Sequence, residues 1–526
     1  MSSYNRNASH SFAFLPDVNL KRNVFNRSCE YKTTFDSGYM IPIYCEEVLP
    51  GDTVDMRGVG VFTRLNNLIS PFMDNVYLEL FAYSVPIRLV WDNFKAFMGE
   101  QVDPDSSTDF LVPTVTCPSS GFPVGGIADY LGLPTGINLS NLKISALPFR
   151  AINLCFNEWH RDENLQKSLP VPKGDGPDDY SFYPLFRRGK RKDYFTSALP
   201  WPQKGDLVRM PLGATAPVQI PEGYLGSVHL PLHQVSGSGV RYSDLLYDAN
   251  NNNVVTTVGN TNRNTGLVTN LSEATSASIT MLRQSIQMQA FQELCARAGT
   301  RYTEIVQGHF GVRSPDARLQ RPELLDVASM SLNMNIVPQT SSTNNVTPQA
   351  NLAAFATFEG KSLNFYKSFT EHGYVIIFAN VRADLTYQQG VPREFLRQSK
   401  FDFYWPLLSV LSEQEVKNAE IYATGTDTDE GVFGYQERYA EYRYAKSKIT
   451  GKLRSSYPQS LENWHLSQYF PELPKLNSQF VEDNPPLKRV IAVQNEPEFI
   501  ADFHFDVDFI RPMPLWGIPA HFKSGL

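Results

Sequence analysis

Three arrangements of side chains along the 526-residue chain are of types that do chemistry. His504, Asp506 and Asp508 form an H-x-D-x-D row. On a strand, alternate residues leave the same face, so an imidazole and two carboxylates would project together as metal ligands. The same alternation describes the solvated face of a half-buried strand. His229 and His233 have the spacing of helical zinc ligands, but Pro231 between them is incompatible with a helix. The pairs Asp178 with Asp179 and Asp427 with Asp429 are the residue types of a glycosidase. They sit in Gly-rich and polar loops, and adjacency in sequence says nothing of the roughly 5 to 10 Å separation that such a mechanism needs. The phosphate-binding loop, the dinucleotide fingerprint, HExxH, GxSxG and the EF-hand loop are all missing from the sequence.

The densest basic cluster is Arg187, Arg188, Lys190, Arg191 and Lys192, followed at once by Tyr194 and Phe195. Cations beside stackable rings suit a single-stranded nucleic acid, through phosphate neutralisation and base stacking. A solvated turn, or an ion-pair patch between subunits, would have the same composition. Lys21, Arg22 and Arg27 make a thinner cluster in a polar N-terminal arm, where nucleic-acid contact and a disordered terminus are the two readings.

The elements that must position these residues are mostly strands. Phe499, Ala501, Phe503, Phe505, Val507 and Phe509 alternate with polar residues and line one face. Val76 to Tyr83 is a second such stretch, and Gly373 to Val381 is apolar on both faces, which predicts a strand sandwiched between two layers. Helices are fewer. Ser276 to Ala298 is the longest, its wide apolar surface implying burial, and Ser145 to Gln166 is a second, with Pro148 in its first turn. Ser412 with Glu415 reads as a capping box opening a short helix that stops before Gly425. Residues 248 to 272 hold eight Asn and five Thr, a surface excursion with strand-like VVTTV inside it; QTSSTNN after Pro338 is a second polar loop.

Composition narrows the class. Lys plus Arg number 47 against 54 Asp plus Glu, a net charge of −7 that excludes a global pull toward nucleic acid or an anionic membrane. No apolar run approaches the roughly 20 residues of a membrane span, and the N-terminus lacks a signal-peptide centre, so a soluble, unsecreted chain is expected. Five scattered cysteines argue against a disulfide framework or a zinc ribbon. With 36 Pro and 12% aromatics, the chain reads as one β-sandwich with long Pro-punctuated insertions.

Several stretches carry a resemblance: DNVYLELFAYSVPIRLVWDNFKAFMGE from Asp74, LPFRAINLCFNEWHRDENLQ from Leu147, KDYFTSALPWPQKG from Lys192, GTRYTEIVQGHFGVRSPDARLQRPELL from Gly299 and RPMPLWGIP from Arg511. Together they resemble the major capsid proteins of the Microviridae, particularly the gokushovirus branch. This resemblance implies a mainly β fold, an eight-stranded antiparallel jelly roll with long loop insertions and a few helices. Residues 1–205 and 276–526 would form its two parts, and 206–275 a hypervariable surface insertion protruding near the threefold axes. It implies a structural protein without catalytic, metal or cofactor sites. About sixty copies, through pentamers, would form a T=1 shell around circular single-stranded DNA, assembled in the host cytoplasm. Its partners would be a small basic DNA-packaging protein, which the acidic subunit charge calls for, an internal scaffolding protein, a minor pilot protein and a host cell-surface receptor, with no membrane insertion. Under this reading Arg187 to Lys192 are candidates for DNA contact, and Phe195, Trp201, Tyr435 and Tyr439 for anchoring interface loops. The competing expectation is a bacterial β-sandwich carbohydrate-active enzyme or lectin, which exposed aromatics and carboxylates would also suit.

Overall fold

The computed structural model describes residues 21–208, 279–343, 349, 351–411 and 413–516, with the backbone of five short strands between 218 and 269. Eight strands carry the architecture: β1 (Cys29–Phe35), β2 (Ile41–Val48), β3 (Thr53–Leu68), β4 (Val76–Pro86), β5 (Glu323–Ser331), β6 (Leu352–Ser362), β7 (Gly373–Ala383) and β8 (Phe499–Arg511). One sheet has the order β1-β8-β3-β6 and the other β5-β4-β7-β2, antiparallel throughout. Successive strands alternate between the sheets except β4 and β5, which are neighbours in one. This is the double-sheet order of a jelly roll. Asn23–Asn26, Asn333–Pro338 and Phe365–Ser368 widen the first sheet.

Period-two patterning explains which faces meet. Phe499, Phe503, Phe505 and Phe509 of β8 are fully buried in the core between the sheets, with Val54 and Leu65 from β3 and Phe358 from β6. The polar side of β8 is exposed or half-buried and charge-balanced, as in the pairs Arg57–Asp506 at 2.7 Å and Lys361–Asp506 at 2.9 Å. β4 and β7 are buried on both sides. Leu78, Leu80, Ile377 and Ala379 face the intersheet core, while Tyr83, Val85, Ile376 and Phe378 belong to a second core. That second core exists because residues after β4 contribute Trp91, Phe122, Phe149 and Phe156 to it, covering the outside of the second sheet.

Helix α1 (Leu147–Cys155) lies in this covering layer, with Pro148 in its first turn. A wider helical turn, Phe156–His160, follows, and Arg161 is extended. The helix therefore ends before Gln166, because the Asp162 carboxylate accepts the backbone N–H groups of Asn164 and Leu165, each at 3.1 Å, and closes a competing turn. The capping-box expectation at Ser412 and Glu415 needs the same kind of correction. Ser412 lies outside the described residues, and Gln414–Lys417 is a strand paired with Val432–Gln436. The short helix begins later, at Asn418–Ile421, where Glu420 accepts the Lys417 N–H at 3.1 Å.

The chain divides into two compact units, Met1–Pro202 with Ala298–Leu526, and Gln203–Arg297. The second takes in the backbone sheet of Leu230–Gln234, Arg241–Asp248 and Asn253–Thr257, and helix α2 (Ile279–Arg297). Burial of α2 is not what the structure shows. Of its side chains only Ala296 is buried, and Ile279 is 71% and Ile286 55% exposed. Gln and Arg residues interleave with the apolar ones, so the apolar positions wrap round the helix instead of forming one stripe that a single neighbour could cover.

Candidate functional site: a cationic pocket on the second sheet

The basic stretch found in the sequence is threaded between two other segments. The Arg188 N–H donates to the Gly38 carbonyl at 2.9 Å, and the Asp483 N–H donates to the Arg188 carbonyl at 2.8 Å. Gly38 has φ +78°, and a Cβ there would lie 2.0 Å from the Asp483 carbonyl oxygen, so the close approach requires glycine. This threading places the side chains over aromatic rings. Arg187 stacks 4.1 Å from the Tyr39 centroid, Arg188 4.5 Å from Phe81, Lys190 4.6 Å from Phe480 and Arg191 4.5 Å from Tyr77.

The acceptor at the centre is Glu79 of β4, nearly enclosed, which takes hydrogen bonds from Arg188, from Arg191 at 2.9 Å and from Arg382 of β7 at 3.0 Å. Arg382 lies opposite Tyr77 and Glu79 opposite Asn380, so the pair sits diagonally across β4 and β7. Three guanidinium groups thus share one carboxylate. Around them opens a cavity of about 380 Å³, lined by Arg161, Arg188, Lys190, Arg191, Lys192, Arg301 and Arg382 against Asp162, Glu163 and Glu304.

The electrostatics are those of excess positive charge, seven cationic side chains against Glu79 and the three lining carboxylates. Burial, reinforced by the neighbouring Arg188, holds the Arg382 guanidinium down to about 10. Burial and then Arg188, Arg382 and Arg301 hold His160 well below its usual value, leaving a neutral imidazole whose Nε2 is 3.1 Å from the Tyr83 hydroxyl. Behind the pocket, burial pushes the Asp483 carboxyl up to about 7 even though Arg382, Lys190, Arg188 and Arg187 pull it down. The Nε atoms of Arg161, Arg301 and Arg382 are buried without an acceptor. Such a cavity is chemically suited to an anion with several acceptor oxygens, such as a phosphate.

The sequence pointed to Arg187–Lys192 and missed Glu79, Arg161, Arg301 and Arg382. A signal existed for Glu79. It is the one carboxylate in the apolar run VYLELFAYSV, and a charge inside a buried strand needs a partner.

Of the four aromatic residues expected at loop interfaces, Phe195 is 2% and Tyr439 3% exposed, so both are enclosed by their own subunit. Phe195 packs in a third, smaller core, 4.9 Å from Tyr387. Tyr435 lies at the edge of that region, exchanging two backbone hydrogen bonds of 2.8 Å with Leu199. Trp201 is half-buried. Tyr439 is elsewhere, its hydroxyl donating to the Phe401 carbonyl at 3.0 Å.

Three of the four carboxylates suggested for sugar chemistry have structural work. Asp178 is buried and paired with Arg150, Asp179 accepts the Ser181 N–H at 2.8 Å, and Asp429 accepts the backbone of Thr424 and Gly425. Among the described residues no three His, Cys, Asp or Glu are placed to hold a metal. His229 lies outside them, and only the backbone of His233 is described.

The sequence profile of a family described as capsid protein (F protein) matches residues 13–521. The capsid protein VP1 of Bdellovibrio phage phiMH2K is 46% identical, with 98% of each chain covered. The capsid proteins VP1 of Chlamydia phage 1 and Spiroplasma virus 4 are 39% and 36% identical, with 97% of each chain covered.

Proposed function

Because the chain belongs to the capsid protein (F protein) family of the Microviridae, we propose that about sixty copies, gathered first as pentamers, close into a T=1 shell around circular single-stranded DNA. The chain is a structural capsid protein and a virion component; its family and relatives are not enzymes, which sets aside the carbohydrate-active reading. The observation that carries the proposal is the coincidence of full-length similarity with jelly-roll strand order. A jelly roll buries the apolar surface of its strands inside one subunit, and the exposed parts of the long insertions between β4 and β5 and between β7 and β8 are the surfaces proposed to meet neighbours.

A subunit charge of −7 cannot neutralise packaged DNA, which supports a separate small, strongly basic packaging protein. An internal scaffolding protein and a minor pilot protein complete the proposed assembly, and the Asn-rich insertion, residues 206–275, is assigned to the host receptor. The cationic pocket is assigned to a phosphate of the genome. Arg187, Arg188 and Arg191 are bound into the subunit, so the informative position is Lys192, whose side chain is 62% exposed and paired with Asp162. With Lys192→Gln, the slope of log affinity against log salt for a fluorescent oligothymidylate is expected to shrink by about 0.7, the loss of one phosphate contact on a single strand. An unchanged slope would remove this residue from the DNA contact.

A further inference from the structure

We propose that residues 395–411 are a contact arm by which each subunit grips a second copy of this chain. The proposal rests on the capsid reading and names one of its interfaces. The segment carries ten large apolar side chains, of which all but Leu396 and Leu408 are exposed, among them Phe395 at 73%, Leu407 at 83% and Val410 at 84%. Taking about 200 Å² for each aromatic and somewhat less for each aliphatic residue, their exposed area is roughly 900 Å². The largest apolar patch on an ordinary monomer is about 300–600 Å², whereas one side of a standard protein interface is about 800 Å². A single 17-residue segment therefore presents the area that one partner contributes to a specific interface.

The arm is already shaped for docking. Its two short helical turns are Lys400–Asp402 and Pro406–Leu408, and the Asp402 carboxylate accepts the Ser399 N–H at 2.7 Å. The Trp405 indole donates to the Lys400 carbonyl at 2.7 Å, and the Tyr439 hydroxyl donates to the Phe401 carbonyl at 3.0 Å from below. Arg397 lies 4.4 Å from the Tyr442 ring and 3.5 Å from Glu441. Tyr439 holds this base in a left-handed conformation, φ +61°, nearly enclosed by its own chain. The enclosed Tyr439 thus positions the arm, and the exposed tip makes the contact. A loop fixed in this way loses little conformational entropy on binding.

The occupant follows from area and composition. Aromatic residues with few charges at the tip mark the centre of a protein interface, and a shell of identical copies offers every arm the same partner surface. No lipid is needed to cover it.

The test uses the full chain with Leu407→Asp and Val410→Asp together, two positions exposed enough that the subunit fold does not depend on them. The expected result is at least a tenfold loss of sedimenting shells, while soluble subunits keep the wild-type circular dichroism and urea midpoint. A photo-crosslinking phenylalanine analogue at position 410 in otherwise unaltered particles should give a product of twice the 59.4 kDa chain. Wild-type shell yield in the double variant, or a crosslink to any other protein, would overturn the assignment. Failure of the unaltered chain to form shells in the same preparation would instead strike the capsid reading.

Discussion

Replacing Arg150 with methionine is expected to cost the subunit about 3–5 kcal/mol of folding stability. The guanidinium is wholly enclosed. Its Nε and Nη2 donate to the two oxygens of Asp178 at 2.7 and 2.8 Å, and its Nη1 donates to the carbonyls of Val90 and Gly174 at 3.1 and 2.9 Å. The Tyr183 hydroxyl donates to the same carboxylate at 2.5 Å. Methionine would fill most of the volume but leave a buried anion with only a phenol, and two carbonyls without donors. Arg150→Met with Asp178→Leu removes both charges and should recover most of the loss, since a buried ion pair is replaceable by apolar packing more readily than it is broken. Urea unfolding of the isolated subunit measures both. A wild-type midpoint for the single variant would mean that this pair does not hold the segments of the layer after β4 together.

The second large effect separates the two faces of β8. Phe503→Ala, at a fully buried ring between the sheets, should lose about 3–5 kcal/mol. His504→Ala, one residue along on the exposed face, should change stability by no more than about 0.5 kcal/mol. Paired unfolding curves check the contrast. Equal losses would contradict the register in which Phe503 faces Val61 of β3 and Tyr31 of β1 across the ladder. A large loss at His504, or protection of the fold by added divalent metal, would revive the ligand reading of His504, Asp506 and Asp508.

These two residues also show what could be read from the sequence and what could not. Strand β8 was legible because alternation of aromatics with Asp and His is a local property with only one burial solution. The same holds for β7, where an unbroken apolar run leaves a strand covered on both sides. Helix α2 was legible as a helix but not in its exposure, because periodicity reports which residues are apolar and says nothing of what is present to cover them. The pocket was half legible. Arg187 to Lys192 are contiguous, so composition alone exposed them. Arg382 joins them from 190 residues away through strand pairing, and Arg301 from more than 100 residues away by donating to the carbonyls of Asn157 and Arg161, contacts that no local pattern encodes. The arm at 395–411 was missed although its FYWPLL stretch is dense in apolar residues, since such a run reads equally as core until its exposure is known.

The central claim is that the chain acts by assembling with its own copies. Electron microscopy of the purified, nuclease-treated protein tests it most directly. The account predicts uniform icosahedral shells of T=1 symmetry that retain protected single-stranded DNA when isolated from infected cells. A population that stays monomeric under every assembly condition, with no shells and no pentamers, would contradict it.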